Sequence, residues 1–519
     1  MSSPADSLAE YRRRRRFDVS PEPDSREPDS RETNGLRRFV IQRHRARREH
    51  DDLRLEHRGV LLSWAVPKGP PSVPGVRRLA VRTEDHPIDY AWFEGVIPEG
   101  YGAGDVIVWE QGWWRPGAGT PSNQASQVDE AIDGALDKGH LSLELHGEFV
   151  RGQFHLIHTN DDQWLLIRAG DQHGDQQLRL PTPLRSVLSG RTNSEVAEGL
   201  PACWPAPDTA ELTALDELGP LGNWHLQGRS IALTNLDKIL IGGRDGTGPV
   251  TKRDLIIHYA TLAPTLAPYL AGRPVNLRRF PNGIEQNGFW QQAVPKGAPE
   301  WIRRWQRPRS SGAGTRDHLV FDGAASLAWA ANTAAIEIHP WTSTAAAPQR
   351  PTYALIDIDP GPSTTWDQTL VLARLFRAAL DHLDLIAGAK VTGQRGIQIW
   401  VPVNQPVTFD ETRDFVERVS RAVGDTTPDL VSWKWNTADR EGRARLDYTQ
   451  NARSRTLVAP YSVRPAPGGP VSVPITWEEL DDPDLRPDRW TVHDLPSRVA
   501  EVGDPFARIL GVQQALPQL

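Results

Sequence analysis

Residues 39–57 read FVIQRHRARREHDDLRLEH, and residues 353–361 read YALIDIDPG. At a strand's period of two, the first puts His50, Asp52, Arg54 and Glu56 on one face and points Leu53 and Leu55 the other way. The second puts Asp357 and Asp359 on one face of a strand, with Ile356 and Ile358 on the other. A strand face crowded with ionisable groups is costly to cover unless it lines a site. The two stretches therefore predict two β-built sites in one polypeptide, each suited to a cation.

Outward from these stretches, the pattern divides. From Phe39 to about Arg168, short apolar runs (LLSWAV, RLAVRT, DVIVWE, HLSLELHG, QFHLIHT, WLLIRA) alternate with Gly, Pro and Asp punctuation, which predicts a β-barrel or sandwich. Within it, residues 114–138 are expected to hold a polar, Gly- and Pro-rich loop. From Trp224 the pattern mixes strands and helices. TKRDLIIHYATLAPTLAPYL (251–270) reads as one helix capped by Thr251, residues 365–385 and 409–424 as two more, and 390–403 as a glycine-interrupted hairpin. The expected organisation is a flexible basic, Pro-rich arm (1–36), a β domain (37–169), a connection (170–221) and an α+β domain (222–519).

Composition narrows the class. A chain of 519 residues is too long for one ordinary core. A hydrophobic content of 38% with 24% charged residues fits a soluble globular protein. No apolar run reaches membrane-spanning length, and no apolar core follows the N-terminal charges as in a secretory signal, so a cytoplasmic protein is expected. The single cysteine, Cys203, excludes an internal disulfide and a cysteine-cluster zinc site. A net charge of −7 argues against a protein coated in basic charge, yet Arg12 to Arg16 form an unbroken run, either a solvated arm or a phosphate-contacting one.

In the first site, His50 and Asp52, with His44 six residues upstream, offer the nitrogen and carboxylate ligands of a first-row divalent ion. The planar fork of Arg54 suits a phosphate oxygen, and His86, Tyr90, Lys68 and Arg78 follow downstream. The alternative is a solvated strand face with incidental histidines. In the second site, Asp357 and Asp359 repel each other unless a divalent cation lies between them, and Asp447 is a candidate third acid. Gly393 and Gly396 flank Arg395 in TGQRGIQIW (392–400), where backbone amides can approach a triphosphate. No Walker sequence occurs.

The order FV-x-Q-x-H, H-x-D-x-R-L-E, SWAVPKGP, RLAV and EDHPIDYA-x-FEGVIPEG closely resembles the phosphoesterase domain of bacterial ligase D, over residues 8–168. The resemblance implies a small β-barrel that trims a ribonucleotide and then a phosphate from a DNA 3′ end. It implies that His44, His50 and Asp52 hold a metal, Mn first with Mg or Zn as alternatives. Arg54 and His86 then contact phosphate or stabilise the transition state, Tyr90 is another site residue, and Gln42, Lys68 and Arg78 are supporting ones. One departure is Arg16, which stands where the family usually has an acid, and it bears on the phosphate-removing step.

Residues 222–510 resemble the ligase D polymerase domain, of the archaeo-eukaryotic primase superfamily, through LTNLDKIL, GRPVNLRRFPNGI, LAWAANTAAIEIHPW, IDIDPGP, TGQRGIQIWVP, LDYTQNARSRTLVAPYSVR and ITWEEL. The resemblance implies two-metal nucleotidyl transfer with NTP or dNTP substrates. Asp357, Asp359 and Asp447 would be the metal ligands, and Thr392 and Arg464 nucleotide-phosphate contacts. His339 sits in the matching HPW segment, Phe289 and Trp290 match a nucleotide- or primer-touching region, and Arg278 and Arg279 are DNA-backbone candidates. The family's Ser-Gly-x-Lys-Gly-x-His becomes Thr392-Gly393-Gln394-Arg395-Gly396-Ile397-Gln398 here. Arg395 keeps the charge, but Gln398 can donate a hydrogen bond and cannot carry a positive charge.

No Lys-x-Asp-Gly nucleophile motif of a ligase occurs. The expected function is therefore end processing in bacterial non-homologous end joining, near the nucleoid, on DNA ends and gapped duplexes. By the resemblance, a separate ATP-dependent DNA ligase and a Ku-type end-binding protein are the partners. Two rivals remain: a working phosphoesterase whose C-terminal half is only a DNA-end-binding scaffold, and a general metallonuclease.

Overall fold

The computed structural model describes residues 8–17, 19–24, 37–117, 125–170, 178–244, 246–308, 315–404, 406–434 and 437–519. The chain forms two compact units: one of residues 1–201 with the short pieces 306–316 and 345–347, the other of the remainder. The expected connection 170–221 therefore divides between them, with its described residues up to Pro201 in the first unit and those from Ala202 in the second.

The first unit opens with helix α1 (Ala9–Arg13) and continues through β1 (Arg37–Arg45), β2 (Glu49–His57), β3 (Val60–Val66), β4 (Arg77–Arg82), β5 (His86–Pro87), β6 (Gly95–Ile97), β7 (Gly104–Pro116), α2 (Ala125–Asp137), β8 (His140–His146), β9 (Arg151–Asn160), β10 (Gln163–Arg168) and α3 (Asn193–Ala197). The strand order β1-β2-β3-β4-β10-β9-β8-β7 closes through β7 pairing with β1, an eight-stranded antiparallel barrel. Alternation builds it. In β8, Leu141, Leu143 and Leu145 enter the core, while the residues between them are more exposed. Phe39, Ile41, Leu53, Leu55, Trp64 and Trp109 belong to the same core.

Two expectations need correction. Residues 125–137 are a helix rather than part of a loop: Val128 and Ile132, one turn apart, pack on the barrel core. Gly134 and the polar run around it obscure the helical period in the sequence. The described part of the N-terminal arm is also docked rather than free. Tyr11 is fully buried and its hydroxyl donates to the Pro23 carbonyl at 2.9 Å, while Arg15 is bound on three sides. The rest of that arm lies outside the described residues.

The second unit begins with α4 (Thr209–Asp216) and the hairpins β11 (Leu221–Leu226)–β12 (Arg229–Thr234) and β13 (Ile239–Ile241)–β14 (Val250–Thr251). Residues 251–270 hold two helices, α5 (Lys252–Thr261) and α6 (Ala263–Leu270), where one was expected; they meet at Leu262, just before Pro264. One five-stranded sheet follows from β15 (Pro274–Arg279), β16 (Phe289–Gln291), β17 (Arg304–Pro308), β18 (Thr315–Val320) and, after α7 (Ala324–Asn332), β19 (Ala335–Pro340). A second contains β20 (Tyr353–Asp359), β21 (Gly388–Val391), β22 (Ile397–Pro402), β23 (Arg445–Asp447) and β24 (Val473–Ile475), in the order β23-β20-β22-β21-β24. Helices α8 (Trp366–His382) and α9 (Phe409–Thr426) pack on it and on each other, and α10 (Leu495–Val502) lies near the C-terminus. The unit is α+β, as expected. Thr251, Thr365 and Thr408 each close a reciprocal capping box, which fixes where α5, α8 and α9 start. No helix among the described residues is long and apolar enough to cross a membrane.

Candidate functional site

The hairpin β1–β2 builds the first site by register. His44 lies opposite His50 and Gln42 opposite Asp52, so all four side chains share the face turned away from the barrel core. Ligand atoms of His44, His50 and Asp52 all lie within 4.8 Å of one another. The Nδ1 of His44 is 3.9 Å from one Asp52 oxygen, and the Nε2 of His50 is 3.6 Å from the other. The remaining ring nitrogens are already committed: His44 Nε2–H donates to the Gly102 carbonyl at 2.8 Å, and His50 Nδ1–H to the Arg48 carbonyl at 2.9 Å. These bonds select the tautomers whose free nitrogens face Asp52, as a metal-binding histidine requires. Burial holds His44 below its usual pKa, which favours the neutral, ligating form.

Arg54 extends the site. Its guanidinium donates to Gln42 Oε1 (2.6 Å), Ser63 Oγ (2.9 Å) and Asp52 (2.8 Å), and it lies over the Tyr90 ring. Gln42 in turn donates to the carbonyls of Tyr90 and Phe93 at 3.0 Å. His86, on the short strand β5, donates from Nδ1 to the Glu84 carbonyl at 2.8 Å and accepts at Nε2 from Arg15 at 3.1 Å. Burial, then Arg54 and Arg15, push His86 well below its usual pKa, so it is a neutral acceptor here. Burial and then Glu22 push the Tyr90 phenol well up; its hydroxyl donates to Glu22 at 3.1 Å.

The sequence reading missed Arg15, Glu22 and Glu84. Arg15 pairs with Glu22 (2.9 Å) and Glu84 (2.6 Å) while it contacts His86. The only sequence signal was the arginine run, which does not say which arginine turns inward. Arg16, the departure noted above, faces Glu99 at 3.0 Å on the surface. Lys68 is exposed in the turn after β3, and Arg78 is half-buried on β4 opposite Leu166; among the described residues neither bonds to the cluster. Glu56 shares the β2 face but accepts from the Arg38 amide at 2.9 Å and stays apart from it.

The second site is a row across four strands. Asp447 lies opposite Asp357, Asp357 opposite Gln398, and Gln398 opposite Lys390. Directly paired residues project to the same side of a sheet, so all four share one face, with Asp359 two residues along β20. Gln398 Nε2 donates to Asp357 at 3.1 Å. Burial, opposed by that hydrogen bond and helped by Asp359 and Asp447, raises the Asp357 pKa to about 7, and burial raises that of Asp359. Asp447 accepts from the Thr449 amide (2.9 Å), the Thr449 hydroxyl (2.6 Å) and Gln450 (3.2 Å). Arg395 faces Asp359 at 3.7 Å from the exposed loop.

A cationic cluster borders this row. Glu337, buried on β19, accepts from Arg278 (3.2 Å), lies 3.0 Å from Arg464, and is 3.8 Å from His339. Although burial opposes it, His339, Arg464 and Arg278 hold the Glu337 carboxyl below its usual pKa. Trp290 meets the His339 ring edge-on at 4.7 Å, and Arg279 lies over Phe289; both aromatics are about half exposed. Thr392 accepts from the Gly396 amide at 3.1 Å and closes the glycine loop. Gly393 has φ +74°, and a Cβ there would come within 2.6 Å of Arg464 Cγ, so glycine lets the loop press against that arginine. Lys390 and Glu337 were not singled out in the sequence.

Residues 42–158 match the family described as the DNA ligase D 3′-phosphoesterase domain, and residues 251–506 match that described as the LigD primase-polymerase domain. The multifunctional non-homologous end joining protein LigD of Pseudomonas aeruginosa is 26% identical over an alignment of 839 positions covering 98% of each chain, so long stretches of that relative have no counterpart in 519 residues. The Mycobacterium bovis protein of the same description is 32% identical over 54% of this chain and 37% of its own length. The bifunctional LigD of Bacillus subtilis is 28% identical over 53% of this chain and 43% of its own. The solved polymerase domain of Mycobacterium tuberculosis ligase D in complex with DNA is 32% identical, covering 54% of this chain and 98% of that one, with a TM-score of 0.49.

Proposed function

Because the chain belongs to the ligase D family and carries its 3′-phosphoesterase and primase-polymerase domains, we propose that it prepares broken DNA ends for non-homologous end joining by trimming the 3′ terminus in one unit and adding nucleotides in the other. The observation that carries the reading is the convergence of His44, His50 and Asp52 with both histidine tautomers preset.

That donor set, two imidazoles and a carboxylate, fits Mn and also suits Zn; Mg is less suited to imidazole. A bound divalent ion would polarise a phosphoryl oxygen and lower the pKa of a water. The chain's own residues do the rest. Arg54, locked by three hydrogen bonds, offers its guanidinium to negative charge developing on the phosphoryl group. His86 is fixed by Glu84 and presents Nε2 beside Arg15, so Arg15 and His86 together would meet a 3′ phosphate held next to Arg54. Tyr90 backs Arg54 and ties the arm to the site through Glu22.

In the second unit, Asp357, Asp359 and Asp447 would hold the metals of nucleotidyl transfer. Thr392, Arg395 and Arg464 would bind the nucleotide phosphates, and Phe289, Trp290, Arg278 and Arg279 the base or the DNA. Burial first, with a neighbouring acid adding to it, raises the pKa of Asp357 and of Asp359, so a bound cation would relieve a cost that these acids carry without one. One observation favours the scaffold reading of this unit: Gln398 brings no charge to a position beside Asp357. A Ku-type protein and a separate ligase would complete the pathway, since no Lys-x-Asp-Gly occurs in these residues.

The test is a 3′-ribonucleotide-terminated primer on a duplex, with Mn, followed by extension with NTP or dNTP. Stepwise loss of the terminal ribonucleotide and phosphate, with extension in a separate reaction, is expected. Cleavage at internal positions would instead identify a general metallonuclease, and trimming without extension would leave the second unit as a scaffold.

A further inference from the structure

Lys390 has no part in the functions assigned above, yet it sits at the end of the acidic row. Its side chain is fully buried, and its ammonium makes a single hydrogen bond, to Ser472 Oγ at 2.6 Å. Among the described residues it has no carboxylate within ion-pair distance. Most other cations of the site do: Arg464 and Arg278 have Glu337, Arg395 has Asp359, and Arg445 has Asp447 at 3.3 Å, while the half-buried Arg279 bonds the Thr333 carbonyl and Gln291. Next to Lys390 in the row, Gln398 spends its amide N–H on Asp357 and leaves a buried Oε1 with no hydrogen-bond partner. A buried ammonium without a counter-ion is strongly unfavourable, and an apolar side chain of similar volume would serve packing better. A structural role alone therefore does not account for a lysine here.

The missing partner is an anion. Asp357, the acid whose charge reaches Lys390, becomes unavailable as a counter-charge once a divalent cation occupies it. Burial first, and then Arg464, which bonds Gln394 of the glycine loop, hold Lys390 well below its usual pKa, so its charged form is the one that an arriving polyanion favours. Resting on the polymerase reading of this unit, we propose that Lys390 is a positioning residue for the incoming nucleotide: a buried cation beneath Gln398 whose charge holds the triphosphate over the three acids. Being buried, it acts through its field and through the orientation of Gln398, in a water-poor setting where a charge is weakly screened.

The experiment compares equilibrium binding of ATP and of adenosine, with Mg, to the full chain and to Lys390→Met and Lys390→Arg. Lys390→Met is expected to weaken ATP at least tenfold, to leave adenosine within twofold, and to raise or preserve Tm, because an uncompensated buried charge is gone; Lys390→Arg should recover most of the ATP affinity. An unchanged ATP affinity in Lys390→Met, or an equal loss for ATP and adenosine, overturns the proposal. Should Lys390→Met not fold, the unmutated chain carries the test. Its Lys390 Nζ ¹⁵N signal, identified by its absence in Lys390→Arg, is expected to shift with tripolyphosphate and not with adenosine, and no shift overturns the proposal. A wild-type chain that binds no ATP removes the polymerase reading itself, and this inference with it.

Discussion

At Asp357 the proposed metal-binding role and the stability of the fold oppose each other at a single residue. Its folded pKa, about 7, lies above the unfolded carboxylate value of 3.8. Between those values the folded chain holds a proton that the unfolded chain has released, so stability falls as pH rises through this window, and the cost is fully present above it. Asp357→Asn removes the ionisation and keeps an acceptor for Gln398. In metal-free buffer it should raise stability at pH 8 by on the order of 2 kcal/mol, allowing for partial exposure, with the gain fading towards pH 4. Primer extension should be abolished in the same variant. Thermal melts at several pH values, beside an extension assay, check both halves; a variant no more stable at pH 8 than the parent would contradict the account. Gln398 poses the complementary question. Gln398→His puts a group that can be charged between Lys390 and Asp357, and extension with Mn should rise severalfold if the missing charge limits the rate. An unchanged rate would mean that the amide suffices.

At the level of elements, what was legible followed from local periodicity. The period of two in β2 told which residues share a face, and β1 then supplied His44 and Gln42 through the hairpin register. The buried strand β20, the cap of α5 at Thr251 and the helices α8 and α9 were equally readable. What the sequence hid depends on contacts far apart in the chain. Arg15 meets Glu84 and His86 across about seventy residues, and no pattern inside RRRRR marks its fourth position. Likewise, Lys390 looks like an ordinary strand lysine until the register sets it beside Gln398. The docked arm leads to a prediction of its own. Because Arg15 joins Glu22, Glu84 and His86 within hydrogen-bonding distance, Arg15→Ala leaves two buried carboxylates without their shared cation. End trimming should fall at least tenfold with extension unchanged, as separate assays of the two activities on one preparation would show. Removal of residues 1–24 should have the same effect, and full trimming activity without them would mean that the arm only rests on the barrel.

On the scale of the whole molecule, the two candidate sites draw on separate units and share no residue. Each is held by its own sheet: the first by the β1–β2 hairpin of a closed barrel, the second by the row of strands from β23 to β21. Substitutions in sites without common partners act independently. Asp52→Ala should therefore abolish 3′ trimming while extension of a clean 3′-hydroxyl primer stays within twofold, and Asp357→Ala should do the reverse. A one-to-one mixture of the two variants should restore processing of a blocked end, because the trimmed product can leave one molecule and be extended by another. Nicked duplex incubated with ATP should remain unsealed throughout, and no adenylylated protein should form, since these residues lack the Lys-x-Asp-Gly nucleophile. The assay is a single blocked, gapped substrate resolved by product length. If Asp52→Ala lowers extension of the clean primer as strongly as it lowers trimming, the sites are energetically coupled, and the description of two independent catalysts in one chain fails.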